Sequence, residues 1–216
     1  MNKPQLPEKR AEAEEKAKEL ELVEMRKRIF INLVKKHVNR PGIDNLLDWL
    51  EESDFFTAPA SSSYHLAKIG GLCEHSLNVY KNFKRDEYSA KYSEESIVIT
   101  TLFHDLCKVN FYKLGTKNVK NGNSWEHVPY YFIEEKYPFG GHGDKSVFLI
   151  QNFMDLTPEE ALAIKHHMGI EKDDFGASAR AYNMSVLALY THIADTYSAF
   201  IVENDNDMKG ELDVKF

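Results

Sequence analysis

The stretch IVITTLFHDLCKV, residues 97–109, decides how the chain is read. Its first seven residues are bulky and apolar, which places His104 and Asp105 at the inner end of a buried segment. Burying an ionised carboxylate there is costly unless it is paired or bound to a metal. Ser93 followed by Glu94 and Glu95 gives an N-cap with an acidic first turn, so a helix is expected from there to about Val109. Adjacent helical residues diverge by about 100°, so both members of the dyad can serve one centre only if it lies in the angle between them. A metal ion meets that requirement.

Other candidate ligands stand on either side. His75 lies in GGLCEHSLNVY, His142 in FGGHGDKS, His166 and His167 in KHHMG, and Asp195 in HIADTYSAF. Imidazole and carboxylate donors suit Mn, Fe, Ni or Co, with Mg or Zn as further options, and need no thiolate.

Working outward, residues 8–37 read as a long helix of interleaved acidic and basic residues that turns apolar at IFINLV and stops at Arg40-Pro41-Gly42. This helix is also a candidate for self-association. A short helix is expected at 43–52 and a loop at 53–63. Leu72 to Phe83 reads as a helix apolar on one side that carries His75. Between Phe111 and Phe139 the Gly, Asn and aromatic content predicts a β-hairpin or a long structured loop. A helix follows at 144–154. Thr157-Pro158-Glu159-Glu160 is a capping box with Pro at the first helical position, opening a helix that Gly169 closes with both His166 and His167 in its last turn. A final long helix is expected from near Asn183 through Val202, presenting Asp195 from an apolar background, and residues 204–216 form a polar tail.

The chain has 216 residues, enough for one well-buried domain with an appendage. Its formal charge of −7 argues against nonspecific coating of nucleic acid. No stretch approaches the roughly 18 apolar residues of a membrane span, and the N-terminus lacks a secretory apolar core, so a cytoplasmic protein is expected. Cys73 and Cys107 are too few for a disulfide framework and read as small core residues.

The order His75, His104-Asp105, His142, His166, Asp195, with the continuation HDLCK ending at Lys108, resembles the HD-domain phosphohydrolase superfamily, in particular its two-metal branch. GGLCEHSL, FHDLCKV, GHGDKS and KHHMG look most like the HD domain of bacterial 3′→5′ exoribonucleases and of phage-type HD hydrolases. The family often has Gly where Cys107 stands. The resemblance covers roughly residues 60–203. It implies an all-α HD fold with a small β-hairpin insertion, an N-terminal helical extension at 1–52, a catalytic domain at 53–203 and a tail at 204–216.

The resemblance further implies two divalent transition metal ions, the first on His75, His104, Asp105 and Asp195, the second reached through Asp105 and held by His142 and His166. His166 and His167 compete for one of these positions; the KHHMG match favours His166, with His167 facing substrate or supporting a ligand from behind. Asp105 and Lys108 are the catalytic candidates, and Lys108, Lys145, His65 and His167 the candidates for substrate contact. The expected activity is metal-dependent hydrolysis of a phosphoester by activated water, in a nucleotide or at the 3′ end of a single-stranded nucleic acid. Two other readings use the same ligands: a di-iron oxygenase, and a nucleotide-sensing binding module.

Overall fold

The computed structural model describes residues 6–122, 124–133, 139–170 and 176–204. The first helix, α1 (Leu6–His37), is mostly charged over its first half and buries Val23, Phe30 and Val34 further along. Gly42, with φ of 91°, turns the chain into α2 (Ile43–Glu52), whose buried Ile43, Leu46, Leu47 and Leu50 follow the i, i+3, i+4, i+7 spacing of an amphipathic helix. Phe30 anchors the main core, its ring 5.0 Å from Phe55, 5.5 Å from Phe56 and 5.8 Å from Phe103. Val34, Leu46 and Leu50 share that core with Leu72 and Leu102, so the boundary expected at 52/53 falls within one packed interior.

Helix α3 (Gly71–Arg85) buries Leu72, Cys73, His75, Ser76, Val79 and Phe83, so His75 lies on the same stripe as the apolar residues. Helix α4 (Glu94–Leu102) is capped by Ser93, whose side chain accepts from the Ser96 amide, and Ile97 through Leu102 are all buried. It ends at Leu102 and does not continue to Val109. The Phe103 amide still bonds Ile99, the Leu106 amide bonds Phe103, and residues 106–108 form a single 3₁₀ turn. His104 and Asp105 therefore sit in the tightened turn, where adjacent side chains are freed from the α-helical divergence.

A hairpin of β1 (Tyr112–Asn121) and β2 (Ser124–Ile133) pairs antiparallel from Tyr112 opposite Ile133 to Asn121 opposite Ser124. Helix α5 (His142–Gln151) starts two residues earlier than its sequence suggests. A Cβ at Gly143 would run into the carbonyls of Ile164 and Lys165, so glycine is what allows α5 to close on the end of α6 (Pro158–Lys165). The capping box of Thr157 and Glu160 is present, but α6 stops before the histidine pair. The final helix expected from near Asn183 is α8 (Val186–Tyr197), capped by Ser185 and followed by a π-helical turn at Ser198–Val202; a separate short helix, α7 (Ala177–Met184), precedes it. The architecture is mostly helical with one small two-stranded sheet. Among the described residues, no helix is long and apolar enough to cross a membrane. Apart from Asn204, the tail expected at 204–216 lies outside the described residues.

One polar knot ties the segment between α1 and α2 to α4 and α6. Glu160 is fully buried and receives Arg40 through both nitrogens, Nη1 to Oε2 at 2.6 Å and Nη2 to Oε1 at 3.1 Å, while Nη2 also reaches Glu95 Oε2 at 3.1 Å. Burial pushes the Glu160 carboxyl up, but its bonds from Arg40, the Thr157 amide and Ser96 outweigh that and hold it below the usual range. Arg40→Ala leaves a buried carboxylate unpaired, and chemical denaturation is expected to show a loss of about 3–5 kcal/mol. Because the Glu160 pKa is depressed on folding, its stabilisation is complete above the unfolded-state value of about 4.3 and is lost as pH falls below it. The acid limb of the wild-type stability profile should therefore be steeper than that of Glu160→Gln.

Candidate metal centre

Side chains from α3, α8 and the turns that follow α4 and α6 converge around Asp105. His75 Nε2 lies 3.0 Å from Asp195 Oδ1 and 3.7 Å from Asp105 Oδ2, and His104 Nε2 lies 3.3 Å from His75 Nε2, 3.4 Å from Asp105 Oδ2 and 3.9 Å from Asp195 Oδ1. On the other side of the carboxylate, His167 Nε2 stands 3.5 Å from Asp105 Oδ1, buried and without a hydrogen-bond partner. All of these groups are buried in the interior except Asp195, which is slightly open. The ligand atoms fall into sets close enough to hold a metal ion: His75, His104 and Asp195; His104, Asp105 and His167; His65, His75 and Glu203.

The three inward imidazoles share one arrangement. His104 Nδ1 is 2.8 Å from the Thr101 carbonyl, His167 Nδ1 is 2.7 Å from the Ile164 carbonyl, and His75 Nδ1 is 2.9 and 3.1 Å from the two oxygens of Glu203. Each acceptor engages Nδ1 and so turns Nε2 into the cluster, which is the outer support that metal-binding histidines require. Carbonyls exposed at helix ends supply two of the three acceptors, so the early ends of α4 and α6 are what orient His104 and His167.

Glu203 supplies the third, and a register change puts it there. The buried stripe of α8 runs through Leu187, Thr191, Ala194, Asp195 and on to Ser198. With α winding it would continue at Ile201 or Val202, both of which are instead exposed. The π turn, closed by the Glu203 amide on the Ser198 carbonyl at 2.9 Å, slips the stripe to Glu203. Asn78 Nδ2 donates to Glu203 at 2.8 Å, and Asn82 Nδ2 donates to Ser198 Oγ at 2.8 Å, so α3 grips the turn from the face that carries His75. Asp195 and Glu203 thus meet the two nitrogens of one ring. Against the opposing effect of burial, their hydrogen bonds lift the His75 imidazole to about 10. A cation entering here displaces a proton.

Asp105 divides its oxygens. Oδ2 faces His75, His104 and Lys108, whose Nζ donates to it at 2.6 Å, and Oδ1 faces His167 and the Cys107 thiol. Burial opposes ionisation of Asp105, but the Lys108 and His104 charges outweigh it and hold the carboxyl well below the usual range. Burial and the neighbouring Asp105 push the Cys107 thiol up to about 12, so Cys107 packs as a thiol. Its amide donates to Ser146 Oγ at 3.0 Å, which fixes the dyad turn to α5.

The other sequence candidates are placed differently. His142 Nδ1 lies 3.4 Å from Cys107 Sγ, one side chain away from Asp105, and His166 Nδ1 lies 3.0 Å from Ser178 Oγ. Neither joins the ligand sets among the described residues; in the histidine pair it is His167 that faces Asp105. Lys145 lies over the Phe111 ring, 4.8 Å from its centroid. His65 and Lys108 line a cavity of about 590 Å³ that opens onto Asp105 and Asp195. Burial, reinforced by the charges of His75 and Lys108, lowers the His65 imidazole to about 4 and keeps it neutral near pH 7. Glu203 was not singled out in the sequence; the signal available was that a buried ligand histidine requires an Nδ1 acceptor, with Asn78 and Asn82 on the same face of α3 as His75.

No protein-family model matches the chain, and neither a curated protein nor a solved structure matches it. The geometry alone therefore describes the centre: buried imidazoles and carboxylates close enough together to hold a metal ion, beside a ligand-sized cavity. Glu203→Ala removes the His75 support without removing a donor of the His75–His104–Asp195 or His104–Asp105–His167 sets. Metal affinity, measured by competition with a chelating dye, is expected to fall about 10- to 100-fold. His167→Ala should weaken binding more than His166→Ala in the same titration.

Proposed function

We propose that the chain is an HD-type metal-dependent phosphohydrolase acting on a nucleotide or on the 3′ end of a single-stranded nucleic acid. The observation that carries this reading is the pairing of Lys108 with Asp105 at the cavity floor. A lysine only 9% exposed faces the cavity within 2.6 Å of a carboxylate that also addresses three imidazoles. The donor set of nitrogen and carboxylate oxygen fits Mn, Fe, Co, Ni or Zn, and His167 Nε2, held 3.5 Å from Asp105 Oδ1, stands where a cation could lie between them.

His75, His104, Asp105 and Asp195 would hold a first cation. Asp105, through its other oxygen, and His167 would begin a second position; the resemblance adds His142 and His166 there. Bound divalent ions supply Lewis acidity toward a phosphoryl oxygen and lower the pKa of bound water.

The chain's own residues do the rest. Lys108, kept protonated by Asp105 against the cost of burial, offers its remaining N–H bonds to a phosphoryl oxygen and offsets charge as it grows in the transition state. Neutral His65 at the cavity wall can accept or donate one hydrogen bond without adding charge. Glu203 keeps His75 in one tautomer and one orientation. The buried walls around the dyad limit bulk water at the reacting end.

Activity is tested on the full chain by following phosphate or nucleotide release from nucleoside monophosphates, cyclic nucleotides and a short 3′-labelled oligonucleotide, across Mn, Fe, Co, Ni, Zn and Mg. At least one substrate is expected to turn over with a transition metal. Asp105→Asn and Lys108→Ala should each lower kcat by about 100-fold or more while circular dichroism stays that of the wild type. Absence of turnover with every metal and substrate, or full activity in Asp105→Asn, contradicts the reading.

A further inference from the structure

The cavity above Asp105 has two chemically distinct halves. Buried ionic groups, Asp105, Lys108, Asp195 and Glu203, line one part of it, and the exposed side chains of Tyr64, Met168 and Phe200, with polar Ser63, Thr196 and Asn204 beside them, line the other. Tyr64 is 85% exposed and Phe200 68% exposed, although each is a large aromatic on the wall of a concave site. Aromatic rings contribute most when buried, so two left open at one cavity mouth await a flat apolar partner. The π turn at Ser198–Val202 is what delivers Phe200. It carries Ser198 and Glu203 inward, to Asn82 and His75, while Ala199 and Phe200 line the cavity.

We propose that Tyr64 and Phe200 form a nucleobase-binding subsite, stacking a single base while the attached phosphate lies at Lys108 and Asp105. This rests on the phosphohydrolase reading for the placement of the phosphate and adds to it the recognition of the base. The cavity volume of about 590 Å³ lies in the range that encloses one small ligand, so the subsite takes a nucleoside monophosphate or a terminal nucleotide. Stacking on an aromatic face is tolerant of base identity, because every base presents a π surface. A substrate that joins a phosphate to a flat heterocycle uses both halves of the cavity, whereas a sugar phosphate leaves both rings open to water.

Equilibrium binding separates this subsite from the catalytic reading. The full chain, with and without Mn²⁺, is titrated calorimetrically with AMP, UMP and ribose 5-phosphate, and phosphate release is followed in parallel. At least one of the two nucleotides is expected to bind about tenfold or more tightly than ribose 5-phosphate. Tyr64→Ala and Phe200→Ala, both at exposed positions, should each remove most of that advantage and change ribose 5-phosphate binding by less than about twofold. Nucleotides binding no more tightly than ribose 5-phosphate, including no binding of either, overturns the subsite, as does equal weakening of all three ligands in the variants. A nucleotide preference that depends on the two rings without phosphate release supports the subsite while contradicting the hydrolase.

Discussion

An ionised carboxylate in the interior has to be compensated, and Asp105 is the group around which the rest of this molecule is arranged. It is only 2% exposed, with Lys108 on one oxygen, two imidazole nitrogens approaching that same oxygen and a third approaching the other. An isolated buried carboxylate would take up a proton. Here neighbouring positive charge keeps it ionised, and the groups that supply this charge come from α3, the turn after α4 and the turn after α6. Packing of α3, α4 and α6 against one another is therefore also assembly of the centre.

Chemistry at this centre is delivered where helices stop being regular. His104 and Asp105 lie beyond the end of α4, His167 lies beyond the end of α6, and Glu203 arrives through a π turn. At such places carbonyls lose their helical partners and become acceptors for ring N–H groups. His104 uses Thr101 and His167 uses Ile164 in this way. Regular helix supplies the packing, and its terminations supply the orientation. Gly143 shows the same coupling from another side, since the close approach of α5 to the end of α6 has no room for a Cβ beside the histidine pair.

Helices with a clean periodic stripe were legible in the sequence. Residues 72, 75, 76, 79 and 83 mark the buried face of α3, and Thr157 with Glu160 marks the start of α6 as a capping box. Terminations were less legible. LFHDLCK continues an apolar run that reads as helix, and only tertiary bonds, such as the Cys107 amide to Ser146, reveal the turn. Of the two adjacent histidines the resemblance favours His166, but which one faces Asp105 depends on where α6 ends and on Ser178 receiving His166, neither of which is legible in the sequence. Glu203 was hidden for a sharper reason: Ile201 and Val202 satisfy the α period better than it does, and the residues that override that period, Asn78 and Asn82, lie more than a hundred positions earlier in the chain.

The central claim is that these buried donors form a cation site. Its most direct test is an anomalous difference map from crystals of the full chain grown with Mn²⁺. The account predicts a strong peak about 2.0–2.3 Å from His75 Nε2, His104 Nε2, Asp105 and Asp195, with Glu203 still on His75 Nδ1. A map with no peak in the cluster, and with His75 still paired directly to Asp195, would contradict it.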